Sequence, residues 1–186
     1  MMRRALPVLL LLLAVPAFAQ SPPPAAPPAD DPVLAAIKAL PALAGRWEGG
    51  GTIRQGPGEP VRFVGEETVE TRLDGRLMLV EGRHWTPDRS RVVHHAFAVL
   101  SYDSEAKAYR FRTHLIGRPG GDFPAFLENG ALVWEIPSPA GKTRFTIRVE
   151  GDRWHEVGTI ERDGKTYPFF EMDLRRVAAP AAAARR

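Results

Sequence analysis

The 186-residue chain contains no cysteine. That excludes a disulfide framework, a Cys-ligated zinc or iron–sulfur centre and a thiol nucleophile, so the fold must be held by an ordinary apolar core. A strong excess of one charge is also missing. Lys and Arg number 25 against 22 Asp and Glu, a balance of +3. Taking Arg3 and Arg4 out with the leader leaves 23 basic residues against 22 acidic ones, and a nucleic-acid partner loses its electrostatic argument. Long hydrophobic runs are absent too. The apolar stretch at 6–15 is too short to span a bilayer, so no transmembrane segment is expected in the mature chain. Catalytic signatures are missing as well: there is no Gly-x-Ser-x-Gly elbow and no His-Glu-x-x-His. The glycine-rich stretch at 117–121 carries Arg118 and Pro119 but lacks the lysine and following helix of a phosphate loop.

What is present begins with an export signal. Arg3 and Arg4 precede the apolar stretch, and Ala17-Phe18-Ala19 forms a small-x-small cleavage site before Gln20. Residues 1–19 therefore read as a secretory signal peptide, and the protein is expected to be periplasmic or secreted. With no cysteine after the cleavage site, no lipid anchor is expected. Residues 20–30, with Pro22, Pro23, Pro24, Pro27 and Pro28 among alanines, favour extended polyproline II and read as a linker. Residues 178–186 show neither an apolar face nor turn chemistry and read as a disordered tail. The folded domain is then 31–177, a single-domain length.

Within it, Asp31 can cap a short helix with Pro32 at its first position, and Val33, Leu34, Ile37 and Leu40 recur at helical spacing before Pro41. Beyond Leu43 the apolar period becomes two, and turn signals arrive every eight to fifteen residues or so, among them Asp74-Gly75, Asn129-Gly130, Gly151-Asp152 and Asp163-Gly164. The pattern gives about ten strands in nearest-neighbour order, an all-β meander. Such a meander hides its edges most simply by closing into an up-and-down antiparallel barrel.

The segment from Leu43 to Gly51, reading Leu-Ala-Gly-Arg-Trp-Glu-Gly-Gly-Gly, resembles the Gly-x-Trp opening of lipocalin-like (calycin) barrels. It is also similar to the Gly-x-Trp-x-Gly-x-Gly opening of nitrobindin-type barrels. Together with Leu73-Asp74-Gly75-Arg76 and Ser101-Tyr102-Asp103, it most resembles the bacterial barrel family called domain of unknown function 1579. The resemblance implies that Trp47 packs at the closed barrel end under Arg175 or Arg176, a structural role for all three. It also raises haem, which nitrobindin-type barrels hold through a histidine near the C-terminus. Residues 165–174 contain no histidine; only Met172 or Tyr167 could ligate iron, and no cofactor is expected.

A barrel of this strand number leaves interior space, and Phe63, Glu67, Trp85, His95, Phe97, Phe111 and Phe145 are the residues expected to line it and bind a ligand, with Glu67 and His95 as polar anchors. The expected occupant is a small, mostly apolar molecule that enters from the end opposite Trp47. The alternatives are a structural or protein-interaction barrel filled by its own side chains, and an enzyme with His95 or Glu67 as acid or base. If Trp85 pairs with Val92 and Tyr102 with Ala108, His94 and His114 share one face and His84 joins His95 on the other. At most two imidazoles then meet, too few for a metal site. Oligomeric state leaves no signal in the sequence. N-terminal sequencing of the protein recovered from its own cells is expected to begin near Gln20, without lipid; retention of Met1 would refute export.

Overall fold

The computed structural model describes residues 31–178. The expected leader, the linker and all but the first residue of the tail lie outside the described residues.

Helix α1 (Pro32–Lys38) starts where Asp31 Oδ1 accepts the backbone N–H groups of Val33 and Leu34, each at 3.0 Å. The same carboxylate reaches Arg76 at 2.8 Å, tying the helix start to a strand turn 45 residues away. Ten strands follow: β1 (Gly45–Ile53), β2 (Val61–Arg72), β3 (Leu77–Trp85), β4 (Val92–Asp103), β5 (Ala108–Leu115), β6 (Arg118–Glu128), β7 (Ala131–Ser138), β8 (Gly141–Glu150), β9 (Arg153–Arg162) and β10 (Lys165–Val177). Each pairs antiparallel with its chain neighbours, and β1 pairs with β10, so the sheet closes into a barrel. Turn chemistry sets the registers. Asn129 (φ 49°) and Gly130 (φ 75°) take the left-handed conformations of a type I′ turn between β6 and β7.

Two strands run longer than the alternation indicates, because β6 opens on Arg118-Pro119-Gly120-Gly121 and β8 on Gly141-Lys142-Thr143-Arg144, stretches with no apolar period to read. The first and last strands meet unusually closely. A Cβ at Gly49 would stand 2.2 Å from the carbonyl oxygen of Asp173, and one at Gly51 2.0 Å from that of Glu171, so these glycines serve the close approach of β10 to β1.

The helix covers one barrel end. Ile37, Leu40 and Leu43 are buried there with Trp47, Leu100, Trp154 and Leu174, and Tyr109 donates its hydroxyl to the carbonyl of Ala36 at 2.7 Å. Trp47 is fully buried, donates Nε1–H to Leu43 O at 2.8 Å and meets Trp154 edge-on at 5.5 Å. The guanidinium of Arg176 lies 4.0 Å from its ring centroid, a cation–π contact of roughly 0.5–2 kcal/mol. Arg176 also donates to the carbonyls of Ala42 and Ala44, whereas Arg175 lies on the outer face, exposed. Trp47→Ala is expected to lower unfolding free energy by about 3–5 kcal/mol in urea titrations, the range for deleting a large core aromatic. An unchanged midpoint would mean the helix and Arg176 close this end without it.

Candidate functional site

The inward face of each strand is fixed by the closed end. Counting outward from the buried plug, β2 turns Val69, Glu67, Gly65 and Phe63 inward, and β3 turns Met78, Val80, Gly82 and His84 inward. On β4 the inward set is Leu100, Ala98, Ala96 and His94. Four of the expected lining residues therefore face the lumen: Phe63, Glu67 and Phe111, all buried, and Phe145, half-buried.

The other three are corrected by the structure. Trp85 lies on the outer face between the guanidinium groups of Arg83 (5.3 Å) and Arg89 (5.0 Å). His95 is outside as well, with Nε2 2.8 Å from the exposed carboxylate of Glu81. Phe97 is 37% exposed, between Glu81 on β3 and His114 on β5. Trp85 follows the unbroken alternation of β3, which turns His84 inward and Trp85 outward; for His95 and Phe97 the physical reason is a bulge. Trp85 does pair with Val92, but Val93 is then unpaired and His84 meets His94. Tyr102 pairs with Tyr109, one residue from the expected partner. These one-residue differences exchange the faces of the histidines, placing His84 and His94 inside and His95 and His114 outside. On β4 the inward positions between Leu100 and His94 are the small Ala98 and Ala96.

Two groups of interior residues result. The first is an aromatic array toward the open end. Trp134 lies flat against Phe145 at 4.3 Å and 9°, with Phe111 at 4.8 Å and Phe123 at 5.8 Å, and Phe145 continues to Phe170 at 6.0 Å. Trp134 and Phe145 are half-buried, and the Trp134 Nε1 is buried with no acceptor.

The second group is polar. Glu67 Oε1 sits 3.1 Å from His84 Nε2, Phe63 stacks on the His84 ring at 4.5 Å, and the His94 ring lies 5.0 Å beyond. Across the lumen, Glu156 on β9 accepts a 3.3 Å bond from Trp154 Nε1. Glycines make the room: a Cβ at Gly82 would stand 2.4 Å from Glu67 Oε1, and one at Gly65 2.9 Å from the His84 ring. Burial, with the nearby charge of Glu81 second, pushes Glu67 up to about 8. Burial and then the charge of Glu67 push Glu156 up to about 8 against the indole bond. Burial takes His84 down to about 4; His94 also falls to about 4, by burial and then by the charges of His84, Arg118 and His95. Near neutrality these shifts favour the uncharged form of all four groups, and Glu67 and His84 share a 3.1 Å hydrogen bond whose donor is set by the imidazole tautomer.

His84, His94, Trp134 and Glu156 were not singled out as lining residues from the sequence. The β9 alternation of Trp154, Glu156 and Gly158 carried the signal for Glu156. His84 and His94 needed the bulge. The two residues considered for iron lie apart: Met172 is buried in the core and Tyr167 is exposed. On the outer wall, His155, Glu171 and Asp173 hold ligand atoms within 4.8 Å of one another, but Arg153 already occupies Asp173 at 2.7 Å, so a metal ion would have to displace a guanidinium.

Clefts of about 790 Å³ and 500 Å³ both lie outside the lumen. One runs between α1 and β4–β6 beside Tyr102 and Tyr109, the other along the turns joining β7 to β8 and β9 to β10.

The architecture is that of a lipocalin-like barrel, and solved structures share it. The crystal structure of Rv2717c from M. tuberculosis superposes with a TM-score of 0.57 at 12% identity, covering 80% of this chain and 99% of that one. The S-type phycobiliprotein lyase CPES from Guillardia theta gives 0.52 at 11%, covering 78% and 93%. At such identities the likeness is one of fold. No family model and no curated protein matches the sequence.

The four interior groups set a pH profile. Unfolded values are 4.5 for Glu and 6.5 for His. Between 6.5 and 8 the folded protein keeps two carboxyl protons that the unfolded chain has released. Stability therefore falls as pH rises, by on the order of 1 kcal/mol per pH unit for each carboxyl. Between 4.5 and 6.5 the protons bound by the unfolded histidines cancel this slope; from 4.5 down toward 4 the histidines alone act, and stability falls with falling pH. A Glu67→Gln, Glu156→Gln double variant should lose the decline above pH 6.5 in urea midpoints measured from pH 5 to 8.5. An unaltered decline would place the titrating groups elsewhere.

Proposed function

We propose that the protein is an exported lipocalin-like carrier that holds a small, mostly apolar molecule in the open half of its barrel. The observation that carries this reading is the aromatic array. Trp134 and Phe145, stacked on each other inside the barrel wall, are only half-buried, and the Trp134 N–H is buried without an acceptor. A ligand with an apolar body and one hydrogen-bond acceptor would cover the rings and satisfy that donor. Of the expected binding residues, Phe63, Glu67, Phe111 and Phe145 remain in this proposal, and His84, His94 and Trp134 join them.

Export to the periplasm or the medium belongs to the same proposal and is supported by the leader features of residues 1–19. Membership of the domain of unknown function 1579 family is proposed on the quoted motifs. In support, all three fall at the Trp47 end: Gly45-x-Trp47 opens β1, 73–76 turn β2 into β3, and Tyr102-Asp103 enter the β4–β5 turn, where Asp103 Oδ1 accepts from Glu105 and Ala106 at 3.0 Å.

A second reading, a structural or protein-interaction barrel, is favoured by the filled closed half and by clefts that lie outside the lumen. Titration with the uncharged fluorophore N-phenyl-1-naphthylamine separates the two. Carrier function predicts a saturable fluorescence rise with a dissociation constant of about 1–10 µM, weakened roughly tenfold by Trp134→Ala and by Phe145→Leu in variants whose circular dichroism is unchanged. A linear, non-saturating response would favour the structural barrel.

A further inference from the structure

On the outside of this barrel, carboxylates are matched with basic side chains. Glu66 meets Arg89, Asp122 meets Arg110 and Arg112, Glu135 meets Lys142 and Arg144, and Asp173 meets Arg153. Inside, the matching stops. Glu67 and Glu156 are each 8% exposed, and among the described residues neither forms an ion pair with Lys or Arg. Glu67 has an imidazole, and Glu156 has only a 3.3 Å indole N–H on one oxygen. The chain is not short of guanidinium groups, but the inward Arg176 is held at the closed end by Trp47 and the carbonyls of Ala42 and Ala44. An ionised carboxyl buried without a cation is costly, so each of these keeps its proton until a counter-charge is supplied.

The wall is cut away where these groups sit, since Gly65 and Gly82 leave the volume that His84 and Glu67 fill. The same lumen is lined by rings: Phe63 is itself buried, stacked on His84 at 4.5 Å and parallel to Phe170 at 5.7 Å, while the half-buried Phe170 leads to the half-buried Phe145. Aromatic faces carry the negative side of the ring quadrupole and attract cations. A metal ion fits poorly here, because among the described residues the trio of donors within 4.8 Å is the outer His155, Glu171 and Asp173.

We propose that the interior site takes an organic cation, an ammonium or quaternary ammonium group on an otherwise apolar body, with its charge beside Glu67 and Glu156 and its body along the aromatic rings. The proposal rests on the carrier reading and adds the charge of the cargo. Because both carboxyls are protonated near neutrality, a permanently charged guest ionises them as it binds and expels protons to solvent. The imidazoles facing them, His84 from β3 and His94 from β4, are held low by burial and do not compete as counter-ions; the other charges felt there are Glu81 of β3 acting on Glu67, and Arg118 of β6 and His95 of β4 acting on His94.

The test compares benzyltrimethylammonium with its uncharged carbon isostere, neopentylbenzene, by calorimetry of the purified protein at pH 7 in buffers of different ionisation enthalpy. The cation is expected to bind roughly tenfold or more tightly than the isostere and to release about one proton or more per site. The Glu67→Gln, Glu156→Gln double variant, close in shape to the parent, should lose the preference for the cation over the isostere and the proton release. Equal binding of both guests without proton release overturns the cation assignment and leaves the apolar carrier standing. Binding of neither, together with a linear N-phenyl-1-naphthylamine response, overturns both.

Discussion

The barrel depends on how one tryptophan closes it. Trp47 lies on the first strand, beneath an arginine of the last, and its indole N–H is bonded to the segment arriving from the helix. That single side chain joins the seam between β1 and β10 to the helix that covers the end. The glycines after it let β10 approach β1 so closely that no side chain would fit between them at these positions. A ten-strand sheet closed in this way has no free edge, and the inward direction of every strand follows from which residue lies next to the plug.

From that constraint the interior divides. The closed half is an ordinary apolar core built on Trp47, Trp154, Leu100, Leu132 and Leu174. Beside it in the lumen stand two carboxyls and two imidazoles, with Glu67 directly across from Trp47 in the ladder, and the rings of Phe63, Phe111, Trp134, Phe145 and Phe170. An apolar core beneath polar groups removes water from one side of them and raises the cost of charge, which is why the acids hold their protons and the histidines refuse theirs. The outer wall works in the opposite sense, with arginine-rich ion pairs in water that contribute little stability individually. A neutral but ionisable interior inside a charged shell is the property that the proposed carrier role uses.

The all-β class, the strand order and the short capped helix were legible in the sequence, because alternation of period two, Asn-Gly and Asp-Gly turns and Asp31-Pro32 are local signals whose meaning does not depend on distant residues. The Trp47 plug was legible through its motif. The start of β6 was not legible, since Pro119, Gly120 and Gly121 offer no alternation and acquire strand geometry only from their partner across the ladder.

The candidate site was legible in part, for a definite reason. Phe63, Glu67, Phe111 and Phe145 sit on strands whose alternation runs unbroken from the closed end, so their faces follow from the sequence. The faces of His95 and Phe97 depend on how the Trp85–Val92 pair is carried into β4, and the unpaired Val93 shifts that by one residue, while Trp85 itself is turned outward by the β3 alternation that puts His84 inside. The sequence alone thus determined the class, the order and the plug; which histidines enter the barrel was decided by the β3–β4 register, and the approach of Glu67 on β2 to Glu156 on β9 only by the pairing of the tenth strand with the first, because each depends on contacts between residues far apart in the chain.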